Sequence, residues 1–100
     1  MQELIDKVQE LVAFELARAN TIHPPKFNSM HEAYAVIKEE LDEVKDQYDA
    51  AEWYLDIMWI YVKSDEVGAA ETEAQRMEKT AIKLAAEAIQ VAAMCRKARM

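Results

Sequence analysis

Residues 29–66, SMHEAYAVIKEELDEVKDQYDAAEWYLDIMWIYVKSDE, decide the fold of this chain. Met30, Tyr34, Ile37, Leu41, Val44, Tyr48, Ala51, Leu55, Met58 and Val62 follow one another in alternating steps of four and three. That is a heptad seam of about five repeats. Strands alternate with a period of two, so the spacing predicts one long helix over 29–63. Ser29-Met30-His31-Glu32 opens it in the S-x-x-E form of a capping box, in which a hydroxyl and a carboxylate satisfy backbone N–H groups left open at a helix start. No Gly or Pro interrupts the pattern before Lys63-Ser64-Asp65-Glu66.

Upstream, Leu4, Val8 and Leu11, with Ile5, Val12 and Leu16 beside them, give a first helix over 2–19 one apolar face. It must stop ahead of Asn20-Thr21-Ile22-His23-Pro24-Pro25, because proline lacks the backbone donor and pushes the residue before it out of the helical region. Downstream, Ala74, Met77, Ala81, Leu84, Ala88, Val91, Cys95 and Ala98 carry the same rhythm through a third helix over 67–99. Arg96, Lys97 and Arg99 in its last turns suit the negative end of the helix dipole. The predicted fold is all-α and a single domain over 1–100: helix 1 covering a long antiparallel hairpin of helices 2 and 3. One Gly and two Pro in 100 residues argue against strand-and-turn architectures.

A 35-residue helix is about 52 Å long at 1.5 Å per residue, whereas a compact 100-residue domain is only about 34 Å across. The hairpin is therefore expected to project beyond a monomeric core. A second stripe on helix 3, Ile82, Ala85, Ile89 and Ala92, is more than one partner helix covers. The expectation is a homo-oligomeric helical bundle, a dimer or tetramer of this chain.

The net charge of −7 argues against a nucleic acid polymer as partner, but not against a nucleotide whose phosphates arrive neutralised by Mg²⁺. A lone cysteine, Cys95, rules out a disulfide framework; it sits on an apolar line and reads as a small buried residue. No apolar run approaches 18 residues, and the start is acidic, so neither a membrane span nor a signal segment is expected and the predicted setting is cytoplasmic.

The carboxylates are the chemical signal. Flanking the helix 2 seam, Ala33, Val36, Glu40, Glu43, Gln47, Ala50, Tyr54, Ile57 and Tyr61 form a second line in which two glutamates interrupt a largely apolar row. Glu39, Asp42, Asp46 and Asp49 point elsewhere, toward solvent. Paired carboxylates on a part-buried line repel unless a positive group neutralises them, and a hard divalent cation with oxygen ligands does so. Helix 3 offers the complement, Glu87 and Gln90. About a turn centred on Asp65, Glu43 and Glu87 lie 22 residues to either side, and Glu40 and Gln90 lie 25. An antiparallel hairpin thus brings all four to one level. On the residues alone two readings stay open: a cation site, and a solvated acidic face on a helical oligomerisation or adaptor module.

Residues 31–41 read H-E-x-Y-A-V-I-x-E-E-L and residues 87–94 read E-x-x-Q-V-A-A-M. Together, with residues 27–44 around the first motif, they resemble the two metal-site helices of MazG-like all-α nucleoside triphosphate pyrophosphohydrolases, most closely the small phage-type members. The resemblance implies Mg²⁺-dependent hydrolysis of a (d)NTP to the monophosphate and pyrophosphate, with Mn²⁺ as a substitute metal, in a helical dimer or tetramer. It implies Glu40, Glu43, Glu87 and Gln90 as the metal set, and Glu39 with Glu40 as catalytic carboxylates, Glu39 being an outer ligand or the group orienting the attacking water. The family's second motif usually ends in Asp where this chain has Gln90, a neutral amide that holds Mg²⁺ less strongly. A nucleotide-binding sensor with the same ancestry is the further alternative.

Lys83 and Arg76, on the flank of helix 3 that carries Glu87, are the candidate phosphate contacts. His31 reads as a surface residue of the first helical turn. Trp53 and Trp59 read as core or subunit-interface residues, and Phe27 as a staple against helix 2 or a cover over a nucleotide.

Overall fold

The computed structural model describes all 100 residues. It is all-α: α1 spans Gln2–Asn20, α2 Met30–Lys63 and α3 Val67–Ala98, leaving the chain 85% helical with no strand. Each predicted helix limit falls within one residue of the observed one. No helix is long and apolar enough to cross a membrane.

The helix ends follow from local chemistry. Ser29 Oγ accepts from the Glu32 backbone N–H at 3.1 Å, as a capping box requires. The Glu32 carboxylate does not return to Ser29; it accepts from the Asn28 backbone N–H at 3.3 Å and the Asn28 side-chain amide at 3.0 Å. At the other end of α2, Asp65 takes φ 58°, in the left-handed region. Its N–H donates to the Val62 carbonyl at 3.1 Å and the Glu66 N–H donates to Tyr61 at 2.9 Å, the paired bonds of a Schellman turn. Ser64 Oγ closes the turn by donating to Glu66 at 2.6 Å.

The chain forms two compact units, Met1–Asp42 with Ala86–Met100, and Glu43–Ala85. In the first, Val12 and Leu16 of α1 bury against Ala93 of α3, with Ile89 and Met94 packed beside them. Ala19 and Ala33 are also buried there, and so is the charged Lys97. The second unit is a hairpin of α2 and α3 in which Ala70 and Glu73 are buried. Glu73 Oε1 accepts from Arg76 at 2.6 Å, while its other oxygen has no partner.

The heptad seam needs correction. Tyr34 is 70% exposed, and Met30, Leu41, Tyr48, Leu55 and Val62 are exposed with it. The half-buried line of α2 runs instead through Val36, Glu40, Glu43, Gln47, Ala50, Tyr54, Ile57 and Tyr61, keeping Ile37, Val44, Ala51 and Met58 at its border. The line on α3 has turned the same way: Glu73, Thr80, Glu87 and Met94 join Ala74, Met77, Leu84, Val91 and Ala98, while Ala81, Ala88 and Cys95 leave it. Ala81, Ala88 and Cys95 are exposed, so Cys95 is not the buried residue its spacing suggested. Each helix carries an apolar arc wider than one neighbour covers, and the contacts within the chain take the edge that holds the carboxylates.

Candidate functional site

Glu40 and Glu43 sit one turn apart on α2, and Glu87 and Gln90 one turn apart on α3. All four side chains are half-buried. Carboxylate oxygens of Glu40 and Glu87, which belong to one compact unit, lie within 4.8 Å of one another, and Glu43 follows Glu40 by one turn of α2. The Gln90 amide orientation that satisfies its neighbours turns the nitrogen toward the carboxylates, donating to Glu40 Oε2 at 3.0 Å and Glu87 Oε2 at 3.2 Å. A primary amide has two N–H donors, and both are used here to hold two anions.

This donor set fits a hard divalent cation. It consists of oxygens, it carries three formal negative charges, and the two faces of Gln90 give it alternatives: nitrogen toward the carboxylates, or carbonyl oxygen toward a metal. Glu39, the neighbour of Glu40, is exposed, as are Asp42, Asp46 and Asp49. Lys38 and Lys45 pair with two of these, at 3.2 Å to Asp42 and 3.0 Å to Asp49.

Glu40 and Gln90 also form part of the wall of a cavity of about 290 Å³ within the unit Met1–Asp42 with Ala86–Met100. Its apolar lining comes from Ala19, Pro24, Phe27, Val36 and Met94. Its charged lining includes Glu15, Arg18, Lys26, Glu32 and Lys97. Arg18 grips Glu15 with two bonds, 2.9 and 2.6 Å, and this guanidinium hydrogen bond holds the Glu15 carboxyl below its ordinary pKa against the opposing effect of burial. The Lys97 ammonium lies 4.6 Å from the centre of the Phe27 ring.

Of the remaining sequence candidates only Phe27 lines this cavity. Arg76 is held by Glu73, and Lys83 is exposed with no carboxylate within 4 Å; neither lines the cavity. His31 is exposed. Trp53 and Trp59 are exposed as well, so they do not pack in the core of this chain, and Lys63 lies 5.6 Å over the Trp59 ring. Phe27 is half-buried in the α1–α2 loop, against Lys97. Sequence reasoning passed over Glu15, Arg18 and Lys97. For Lys97 the signal was present: it follows Gln90 by seven residues, two helical turns, and so shares its face.

Comparison with protein-family models, with curated proteins and with solved structures gives no match to this chain.

Proposed function

We propose that this chain hydrolyses a (d)NTP to the (d)NMP and pyrophosphate in a Mg²⁺-dependent reaction in which Mn²⁺ can substitute. The observation that carries this reading is the approach of the Glu40 and Glu87 carboxylates to within 4.8 Å, with Glu43 one turn from Glu40 on α2, beside a cavity that Glu40 and Gln90 help to line. The likeness of residues 31–41 and 87–94 to the metal-site motifs of MazG-like pyrophosphohydrolases supports it. In the reaction a water oxygen bonds to the α-phosphorus, the bond from that phosphorus to the α–β bridging oxygen breaks, and pyrophosphate leaves. Glu40, Glu43, Glu87 and the Gln90 carbonyl oxygen hold the divalent ion, which when bound neutralises charge on the phosphate oxygens. Glu39, exposed beside Glu40, orients the water and takes its proton.

A second reading has its own observation. Gln90 donates to one oxygen each of Glu40 and Glu87, which gives both carboxylates a hydrogen-bond partner without a cation. That favours a non-catalytic helical oligomerisation or adaptor module, or a nucleotide sensor that turns over slowly. Following ³¹P resonances of a panel of (d)NTPs with and without Mg²⁺ separates the readings. Hydrolysis predicts monophosphate and pyrophosphate, lost in Glu40→Ala; a module leaves every triphosphate intact.

The reading includes self-association. Met30, Tyr34, Leu41, Tyr48, Leu55, Trp59 and Val62 are exposed on α2, five of them at a strict seven-residue spacing. Such a stripe is the seam of a helix pair. A second copy presents the same stripe, so the contact is self-complementary.

A further inference from the structure

The charged groups around the cavity do not all find partners within it. Glu15 is taken by Arg18, and Glu32 by Asn28. Lys97 is different. It is only 6% exposed, it lines the cavity, and no carboxylate lies within 4 Å of its ammonium, whose one described contact is the face of Phe27. A buried ammonium carries three donors and a desolvation cost that a ring face offsets only in part. Lys26, also on the wall, is exposed and likewise lacks an ion pair. The cavity therefore has cationic groups that call for an anion, and on another part of its wall Glu40, which repels a bare one. An anion that carries a divalent cation meets both demands. At about 290 Å³ the space lies at the small end of ligand pockets, so it suits a phosphate chain and not a whole nucleotide.

We propose that this cavity holds the phosphate chain of the nucleotide, with Lys97 as its principal anion contact and Lys26 as a secondary one, in place of Lys83 and Arg76. This rests on the pyrophosphohydrolase reading for the identity of the ligand. Phe27 holds the Lys97 ammonium in place from the loop side, and the divalent cation sits toward Glu40.

Inorganic tripolyphosphate with Mg²⁺ is the probe, because it has the chain and no base; binding is measured by calorimetry. Lys97→Gln is expected to weaken binding at least tenfold and Lys97→Arg by about twofold, with Lys83→Gln and Arg76→Gln unchanged. Because Lys97→Gln also disturbs the Phe27 contact, the wild-type protein supplies an independent measurement: the Lys97 ε-methylene resonances must shift on titration with Mg²⁺–tripolyphosphate. Unaltered binding by Lys97→Gln, or an unmoved Lys97 resonance, overturns the proposal. Lys97-dependent tripolyphosphate binding with no hydrolysis of any nucleotide keeps the proposal and removes the enzymatic reading. Nucleotide hydrolysis that is indifferent to Lys97→Gln does the reverse.

Discussion

The Gln90 amide donates to the Glu40 carboxylate at 3.0 Å, from α3 to α2, between residues that stand 25 positions on either side of Asp65. The same amide donates to Glu87 at 3.2 Å. A neutral side chain therefore does part of what a cation does for this acidic set. Gln90→Asp removes both donors and adds a fourth negative charge. Without divalent ions the variant is expected to lose about 1–3 kcal/mol of stability, the cost of stranding part-buried polar groups. With Mg²⁺ it should recover, because a ligand that binds only the folded state stabilises it by mass action. Melting curves with and without Mg²⁺ test this: the metal-induced rise in Tm is expected to be larger in Gln90→Asp than in wild type. Equal curves in both proteins would remove Gln90 from the site.

The register that brings Glu40 to Gln90 depends on the turn at Asp65. A non-glycine residue in the left-handed region carries a steric cost, smaller for Asp than for most residues. Asp65→Gly should raise stability by up to about 1 kcal/mol, and the β-branched Asp65→Val should lower it by about 1–2 kcal/mol. Chemical denaturation of the three proteins measures both. Destabilisation by Gly would mean that the Asp side chain matters more than its backbone angle.

The sequence made helix number, order and limits readable because Pro24-Pro25, the Ser29 cap and the Ser64-Asp65-Glu66 turn each mark a boundary by local chemistry. The same turn made the Glu40–Gln90 level readable, since an antiparallel hairpin pairs positions symmetric about its centre. The face of each helix was not readable in this way. On α2 the line of Tyr34, Leu41, Tyr48, Leu55 and Val62 is the more apolar one, yet it is exposed, and the line through Glu40, Gln47, Tyr54 and Tyr61 is half-buried. Hydropathy alone ranks those two lines the other way. It does not register that a wide apolar arc exceeds what one neighbour covers. The cavity was hidden for a different reason: its lining draws on α1, the α1–α2 loop, α2 and α3, and no motif joins Arg18 to Lys97.

The Glu15–Arg18 pair gives a pH signature. The Glu15 pKa is depressed in the folded protein, so its contribution to stability is present above the unfolded-state carboxylate pKa. That contribution is lost as pH falls through the lower folded value. Arg18 keeps its charge throughout this range. The Tm difference between wild type and Arg18→Gln should thus be largest near neutral pH and should close as Glu15 protonates. A gap that persists at the acid end would assign the Arg18 effect to packing of its aliphatic stem.

Self-association through the exposed α2 stripe predicts that Leu41→Glu with Leu55→Glu yields monomers at concentrations where the wild type is a dimer or tetramer. Light scattering behind a sizing column reads the mass directly. The two substitutions replace exposed residues, so helicity by circular dichroism should stay unchanged. A monomeric wild-type protein would dismiss the stripe as an interface between copies.

A cation site at Glu40, Glu43 and Glu87, as opposed to a solvated acidic face, must bind a divalent metal in solution. Calorimetric titration of Mn²⁺ into the wild type, Glu40→Gln and a control, Asp46→Gln, tests it most directly. Asp46 is exposed and outside that set. Saturable binding in the wild type and the control, weakened at least tenfold in Glu40→Gln, is the result this account predicts. Weak, non-saturating heats that are the same in all three proteins would contradict it.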